Sequence, residues 1–117
     1  MTSLIQELHL ELIKQIRRNR MDGQQIVKDL LDHRSLWTSV ISGRFYHQDL
    51  VHLRDLDTNV WNVDSLAIYS SQRNNRKLEE MVDTWRPDSI DWIEVEDASD
   101  LLGLSAEKEQ LLFIWWD

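Results

Sequence analysis

A short apolar run that leads directly into an amphipathic segment constrains the fold of this chain more than any other feature. Residues 65–70 read Ser-Leu-Ala-Ile-Tyr-Ser, with the length and composition typical of a buried β-strand. Apolar residues recur at helical spacing in the segment that follows, at Leu78, Met81, Val82 and Trp85. This spacing predicts a helix from about Gln72 to Trp85 with Ser71 as its N-cap, and a strand that feeds a helix is half of a βαβ unit.

Two more strand candidates follow this helix. Residues 89–96 alternate between apolar and polar side chains, so that Ile90 and Trp92 face the same side. Residues 110–117 read Gln-Leu-Leu-Phe-Ile-Trp-Trp-Asp. This run is too short to span a membrane and is typical of a central strand that is buried on both faces.

The sequence of the N-terminal part of the chain predicts two helices. Ser3 with Gln6 has the spacing of a capping box and opens a helix over residues 3–20. Its apolar residues at helical spacing, which we expect to face the core, are Leu4, Ile5, Leu8, Leu12 and Ile16. Asp22 opens a second helix in the same way, to about His33.

Three other segments are assigned from weaker patterns. Residues 35–42 contain apolar pairs four apart, which suit a helix, and β-branched side chains, which suit a strand; we favour a helix that ends at Gly43. Residues 49–56 alternate and are expected to form a strand. Asp97 is expected to cap a short helix that ends at Gly103.

Strands that alternate with helices predict the fold class. We expect an α/β or α+β protein in which an N-terminal pair or triplet of helices packs on a small, partly parallel sheet of about four strands, with two crossover helices. The 117 residues would form a single globular domain. Its helical part would cover residues 1–43, and a β-β-α-β-α-β part would cover residues 44–117.

Composition narrows the class of protein. The chain contains no cysteine, which excludes disulfides and thiolate metal sites. Apolar runs fall short of the roughly 18 residues that a membrane span needs. The first residues, Met-Thr-Ser-Leu, lack the apolar core of a signal peptide. We therefore expect a cytoplasmic protein with no membrane contact.

Charge is distributed unevenly along the chain, which has a net charge of −8. Residues 1–54 carry eight cations and six carboxylates, whereas residues 55–117 carry five cations and fifteen carboxylates. An anionic surface repels the phosphates of nucleic acid and attracts basic proteins, so we expect a protein partner with a basic surface. Alternatively, this net charge only keeps the protein soluble, and this alternative stays open.

The tryptophan content is high, with six residues in 117. Large aromatic side chains mostly fill cores, but exposed indoles beside carboxylates are typical of protein-binding hot spots. Consecutive strand residues point to opposite faces, so one of Trp115 and Trp116 is expected to be exposed. The residues predicted to contact a partner are Trp92, Trp115, Trp116, Asp97, Asp100 and Asp117.

A second hypothesis is a small-molecule or anion-binding sensor or enzyme, with its ligand at the end of the strand over residues 65–70. Ligands of open α/β sheets bind at the carboxyl ends of strands, beside helix N-termini. The candidate ligand-binding residues there are Ser70, Ser71, Gln72 and Arg73. The glycine pattern of a phosphate-binding loop and the G-x-S-x-G pattern of a serine nucleophile are both missing, so plain N-capping is the alternative.

A third hypothesis is a nucleic-acid-binding regulator that uses the basic end of the first helix. The cations there are Lys14, Arg17, Arg18 and Arg20. Cations also suit the negative C-terminal end of a helix dipole, which gives the cluster a purely structural alternative. The segment that would read bases in a helix-turn-helix arrangement, around residues 36–41, has no basic or amide side chains.

The remaining candidate motif, which resembles a cluster of metal ligands, is His47-x-Asp49-x-x-His52. On a strand, Asp49 and His52 point to opposite faces, so no metal site is predicted. We predict no catalytic residues and no cofactor, because the sequence carries no motif that names a reaction. The preferred hypothesis is a small, non-enzymatic protein-binding module, such as an inhibitor, an immunity-type protein or a regulatory protein, with its oligomeric state left open.

Overall fold

The computed structural model describes residues 2–18, 21–44, 56–59, 61, 63–70, 75–93 and 110–116. The helices whose bounds lie within these ranges are α1 (Leu4–Ile13), α2 (Gly23–Asp32) and α3 (Arg76–Asp83). A 3₁₀ turn covers Arg34–Leu36. The strands are β1 (Arg17–Arg18), β2 (Met21–Asp22), β3 (Ser39–Gly43), β4 (Ser65–Ser70), β5 (Ser89–Ile93) and β6 (Gln110–Trp115).

The main sheet has four strands in the order β3-β4-β6-β5, and every neighbouring pair is antiparallel. The fold is therefore α+β, the predicted partly parallel character of the sheet is wrong, and the predicted arrangement with two crossover helices is not confirmed. Both β4 and β5 run antiparallel to β6, so these two strands share a direction, as a βαβ unit requires. They do not pair because the C-terminal strand lies between them, and a sequence pattern cannot show such an insertion.

Residues 39–43 form a strand, so the predicted helix over residues 35–42 is wrong. β3 pairs with β4 along its whole length, from Ser39 opposite Tyr69 to Gly43 opposite Ser65. The β-branched residues Val40 and Ile41 favour this extended conformation. The helical N-terminal part that we predicted to end at residue 43 therefore contributes an edge strand to the sheet.

Helix boundaries also differ from the predictions. Ser3 and Asp22 are the N-caps of α1 and α2, as predicted. However, α1 ends at Ile13, and the expected last turn of the helix instead contains β1, which pairs with β2. α3 begins at Arg76, where the side chain of Asn75 accepts a hydrogen bond from the amide of Leu78, and not at Gln72 after a Ser71 cap.

The backbone conformation of Arg86, which precedes the single proline of the chain, also departs from expectation. X-Pro sterics predict an extended conformation for Arg86. Arg86 instead has a φ of 56°, in the left-handed region that residues other than glycine rarely adopt. Its amide donates to the carbonyl oxygen of Asp83 at 3.2 Å, so this conformation follows the last turn of α3.

The core lies on both faces of the two central strands. Alternate residues of β4 and β6 pack against the helices: Leu66, Ile68, Leu112 and Ile114. A second cluster on the other face contains Ala67, Tyr69, Leu111 and Phe113. The prediction that residues 65–70 and the C-terminal run form buried strands, the latter a central one, is thus confirmed. The predicted strand over 49–56, except for the helical Leu56, and the helix that Asp97 was expected to cap lie outside the described residues.

α1 packs on the sheet through a different face from the one predicted. Its buried apolar residues are Leu10 and Ile13, whereas Leu4, Ile5 and Leu8 have exposed fractions of 68%, 76% and 58%. The predicted stripe is therefore wrong for Leu4, Ile5 and Leu8, whereas its last residue, Ile16, is buried in the core just after the end of α1. Polar side chains on the same side as Ile13 determine which face of the helix docks.

These polar side chains are Gln6 and His9, which bind the free edge of β3. The amide group of Gln6 pairs with the backbone of Val40: its Nε2 donates to the carbonyl oxygen at 2.9 Å, and its Oε1 accepts from the amide at 3.0 Å. His9 Nε2 accepts a hydrogen bond from the amide of Ser42 at 2.7 Å. The helix thereby satisfies edge-strand groups that would otherwise be open to another strand.

We expect His9 to make the stability of the fold depend on pH. Its Nε2 can accept from the Ser42 amide only while the ring is neutral, and burial lowers the pKa of His9 below its ordinary value of 6.5. The unfolded chain therefore takes up the proton at a higher pH than the folded chain. The stabilisation is present above pH 6.5 and is lost as the pH falls through the folded-state pKa.

Urea denaturation of wild type and His9→Gln between about pH 7.5 and pH 5 measures this effect. The amide oxygen of glutamine can accept from Ser42 at any pH in this range. The free energy of unfolding should therefore fall more steeply with acidification in wild type than in His9→Gln. Parallel profiles for the two proteins would contradict the assignment.

A glycine fixes the crossing of α1 and α2. A Cβ atom at Gly23 would lie 2.0 Å from the carbonyl oxygen of Ile13 and 3.1 Å from that of Ile16. Both atoms belong to the backbone, so neither can move aside as a flexible side chain does. The amide of Gly23 also donates to the carbonyl oxygen of Ile16 at 3.3 Å.

Gly23→Ala should therefore destabilise the protein, although alanine normally favours a helix. We expect a loss of about 2–3 kcal/mol, as for overpacking in a rigid core. Thermal or urea denaturation measures the loss, and Gln24→Ala at the next, exposed position is the control, with a change within about 0.5 kcal/mol. Equal effects of the two substitutions would contradict the close contact.

Candidate acidic surface on helix α3

Two grooves flank the exposed face of α3. The larger, of about 620 Å³, lies between α2 and α3. The smaller, of about 330 Å³, lies between α3 and β5. Glu80 on α3 lines both grooves, so the two grooves adjoin along this helix, and we call them together the α3 surface.

α3 presents carboxylates to this surface because the helix is amphipathic. Its apolar side, with Leu78, Met81 and Val82, is buried in the core. The other side carries Glu79, Glu80 and Asp83, of which the last two are exposed. The helical period therefore places three carboxylates beside the grooves.

α2 supplies the opposite wall of the larger groove. Asp29 there is held by two hydrogen bonds: its Oδ1 accepts from Gln25 Nε2 at 2.9 Å, and its Oδ2 accepts from the indole Nε1 of Trp85 at 2.8 Å. Asp32 and His33 lie on the same wall. The bond from Trp85 ties the wall to the end of α3, so the width of the groove is fixed by a specific contact.

Trp92 on β5 forms one wall of the smaller groove. The residue is half-buried and packs against the main core with Ile90. Its indole Nε1 donates to Oε1 of Glu79. This bond fixes the orientation of the ring and of one carboxylate, so the groove presents a rigid aromatic face beside negative charge.

The α3 surface is strongly anionic. Among the described residues that line the grooves, the carboxylates are Asp29, Asp32, Glu79, Glu80 and Asp83. The cations are Arg76 and Lys77, at the first turn of α3. Grooves with this excess of carboxylates concentrate cations and favour the binding of lysine or arginine side chains.

The described residues offer this surface little catalytic chemistry. They contain no group of three or more side chains that could hold a metal ion. His33 Nδ1 lies 3.0 Å from the carbonyl oxygen of Asp29, which orients the ring. A Ser–His pair exists elsewhere, with His9 Nε2 3.0 Å from Ser42 Oγ, but that nitrogen already accepts the Ser42 amide, and Ser42 is 5% exposed. The pair is structural.

Among the predicted partner-binding residues that the structure describes, Trp92 is the one that lies at the α3 surface. Trp92 lines the smaller groove, as described above. Trp115 is half-buried on β6, and Trp116 is 1% exposed, with its Nε1 donating to the carbonyl oxygen of Trp85 at 3.0 Å. Trp116 is therefore a core residue and does not contribute to a contact surface. Asp97, Asp100 and Asp117 lie outside the described residues.

Of the four residues predicted to bind an anion, the structure describes Ser70. Ser70 is fully buried, and its hydroxyl donates to the carbonyl oxygen of Leu36 at 3.3 Å, so it does not face a ligand. The helix N-terminus that was to hold the anion begins only at Arg76. Ser71, Gln72 and Arg73 lie outside the described residues.

The described residues of the basic cluster in the third hypothesis are divided between the end of α1 and the short strand β1. Lys14, the C-cap of α1, forms an ion pair with Glu11 at 2.7 Å. Arg17 and Arg18 form β1, and Arg20 lies outside the described residues.

Sequence reasoning missed most of the residues that form the α3 surface. A signal for Glu79, Glu80 and Asp83 exists, because they lie on the helical face opposite the apolar residues of α3. No such signal exists in the sequence for Asp29 and Asp32, because their position at the groove depends on how α2 packs beside α3.

Comparison with known proteins does not assign the chain to a family. The sequence matches no family model, and no curated protein or solved structure is significantly similar to it. In the part of the chain that the structure describes, no helix is long and apolar enough to cross a membrane.

The bond between Trp85 and Asp29 provides a test of the larger groove. Trp85→Phe keeps most of the packing but removes the donor to a half-buried carboxylate, so we expect a loss of about 2 kcal/mol in the free energy of unfolding. Trp61→Phe removes a comparable bond to the neutral hydroxyl of Ser42 and should cost about 1 kcal/mol. Urea denaturation measures both losses, and a larger loss for Trp61→Phe would contradict the assignment.

Proposed function

We propose that the chain is a small protein-binding module that recognises a basic partner through the α3 surface. The observation that carries this proposal is the smaller groove, where Trp92 lies beside the carboxylates of α3. Carboxylates and a rigid indole together suit lysine and arginine side chains, because a cation binds both to carboxylate oxygens and to an aromatic face.

The geometry suits a protein ligand better than a small molecule. The two grooves are open and shallow, and they extend along both sides of one helix. A partner segment that crosses α3 can place one basic side chain in each groove. Tryptophan is among the residues that contribute most binding energy at protein interfaces, particularly when it is held rigid, as Trp92 is by Glu79.

Electrostatic attraction should make association fast. The positive surface of the partner would be drawn to the part of the chain that holds fifteen of the 21 acidic residues. The partner can be an enzyme or toxin that the chain inhibits, or a protein that it regulates. We place this role in the cytoplasm.

Charge reversal within the α3 surface tests the proposal. The probe is a synthetic peptide rich in arginine and leucine, and its binding is followed through tryptophan fluorescence at low ionic strength. Glu80→Lys should weaken binding by about tenfold or more, since Glu80 lines both grooves. The affinity of wild type should fall steeply as salt is added.

Asp91→Lys is the matched control. Asp91 is exposed on β5, between the two residues that line the smaller groove, so its side chain points to the opposite face of the sheet. The substitution changes the net charge by the same amount and should weaken binding less than about threefold. Equal losses for the two variants, or binding that is insensitive to salt, would contradict recognition at the α3 surface.

A further inference from the structure

The two edges of the main sheet differ in what binds them. At one edge, Gln6 and His9 of α1 bind the outward-facing backbone groups of Val40 and Ser42 on β3. At the other edge lies β5, whose neighbour in the sheet is β6. Within the described residues, no side chain binds the outer backbone groups of β5 in the way that α1 binds β3. A strand edge with open amides and carbonyls is a template for a further strand.

The backbone groups that β5 presents at this edge belong to Ile90 and Trp92. In an antiparallel ladder, the amide and the carbonyl of one residue point to the same neighbouring strand, and this direction alternates along the chain. Trp116, directly after β6, donates its amide to the carbonyl oxygen of Asp64 at 2.9 Å, in register with the pairing of β6 and β4. Even-numbered residues of β6 therefore bond toward β4, and odd-numbered residues bond toward β5. The odd-numbered residues of β5 lie opposite the latter, which leaves the groups of Ile90 and Trp92 at the outer edge.

The side chains of the same two residues face the smaller groove. The described residues that line this groove are Arg76, Glu79, Glu80, Asp83, Ile90 and Trp92. Side chains alternate between the two faces of a sheet, so a strand added to this edge would place every second side chain on the groove side. Residues directly opposite Ile90 and Trp92 would point toward α3, where the exposed Glu80 and Asp83 favour cations.

We propose that the basic partner binds by adding an extended segment to the edge of β5, with arginine or lysine at every second position. This inference rests on the proposed function, because it gives the shape and the charge pattern of the segment that the α3 surface recognises. The backbone of the segment pairs with Ile90 and Trp92, and its basic side chains enter the smaller groove. We assign the antiparallel orientation, which is the more stable one per residue. In this mode of recognition, backbone hydrogen bonds supply affinity and alternate side chains supply specificity.

The sequence of β5 disfavours a second copy of this chain as the occupant. Asp91 is the middle residue of β5, so two β5 strands paired over their full length about a twofold axis would place Asp91 opposite Asp91. Like charges directly opposite each other destabilise a pair of strands. The same pairing would bring the carboxylates of two α3 helices toward one another on one face of the joined sheet. A basic segment meets neither obstacle, and this charge complementarity identifies the occupant.

N-methylation of a peptide tests the backbone pairing without changing the charge of the peptide. The probe is a short synthetic peptide in which arginine alternates with threonine, and its binding to wild type is followed through tryptophan fluorescence at low ionic strength. In the antiparallel arrangement the arginine amides donate to the carbonyls of Ile90 and Trp92, so N-methyl groups on the arginines should weaken binding about tenfold or more. N-methyl groups on the threonines, whose amides face solvent, should weaken it less than about threefold.

The position of the harmful methyl groups separates the outcomes. A loss confined to the methylated arginines, or one confined to the methylated threonines, supports a strand at the edge, in the antiparallel or the parallel orientation respectively. Equal affinities of all three peptides, or equal losses for the two methylated ones, would overturn strand addition. If Glu80→Lys still weakens binding in that case, the α3 surface recognises basic side chains without backbone pairing. A failure of the unmodified peptide to bind would contradict both proposals.

Amide hydrogen exchange, followed by NMR, provides an independent measurement on the protein. The amides of Ile90 and Trp92 should exchange rapidly in the free chain and at least about tenfold more slowly when the unmodified peptide is saturating. The amide of Asp91, which points to β6, is the internal control and should be protected with and without the peptide. Unchanged exchange at Ile90 and Trp92 in the saturated complex would overturn the proposal. Protection that rises with protein concentration in the absence of peptide would assign the edge to a second copy and would also overturn it.

Discussion

The insertion of β6 between β4 and β5 is the interaction on which the rest of the structure depends. β6 pairs along its whole length with β4 and along five of its residues with β5, and it contributes side chains to both clusters of the core. Without it, β5 would have no neighbour in the sheet. The smaller groove lies between α3 and β5, so the position of Trp92 relative to the carboxylates of α3 depends on a strand at the far end of the chain.

The tryptophans explain how the helices are fixed to this sheet. Three buried tryptophans donate their indole N–H groups to acceptors on neighbouring elements: Trp37 to the carbonyl oxygen of Leu30 at 2.7 Å, Trp116 to that of Trp85 at 3.0 Å, and Trp85 to the carboxylate of Asp29 at 2.8 Å. Large aromatic rings thus fill the core and satisfy polar groups there at the same time. Most of the high tryptophan content serves the architecture, and Trp92 is the residue whose ring also borders a groove.

Elements whose periodicity is strong were predictable, and elements determined by pairing were not. The strand over residues 65–70, the strand that begins at Ser89, the C-terminal strand and the caps Ser3 and Asp22 are all found where the sequence places them. The segment before Gly43 has both helical and strand character, and its pairing with β4 decides the outcome. α1 shows the same limit, because the hydrogen bonds that the side chains of Gln6 and His9 form with the backbone of β3 override the more apolar stripe of the helix.

The sequence by itself determined the α+β composition, the buried central strands and the acidic character of the C-terminal half, because each of these follows from local pattern or from a sum over residues. The tertiary structure alone decided that the sheet is antiparallel, that Trp116 is buried and that Asp29 lies across a groove from Glu80. It also decided that the leucines of α1 remain exposed. The physical reason is that strand order and helix docking depend on contacts between residues far apart in the chain, and one-dimensional periodicity does not encode which distant partner such a residue will meet.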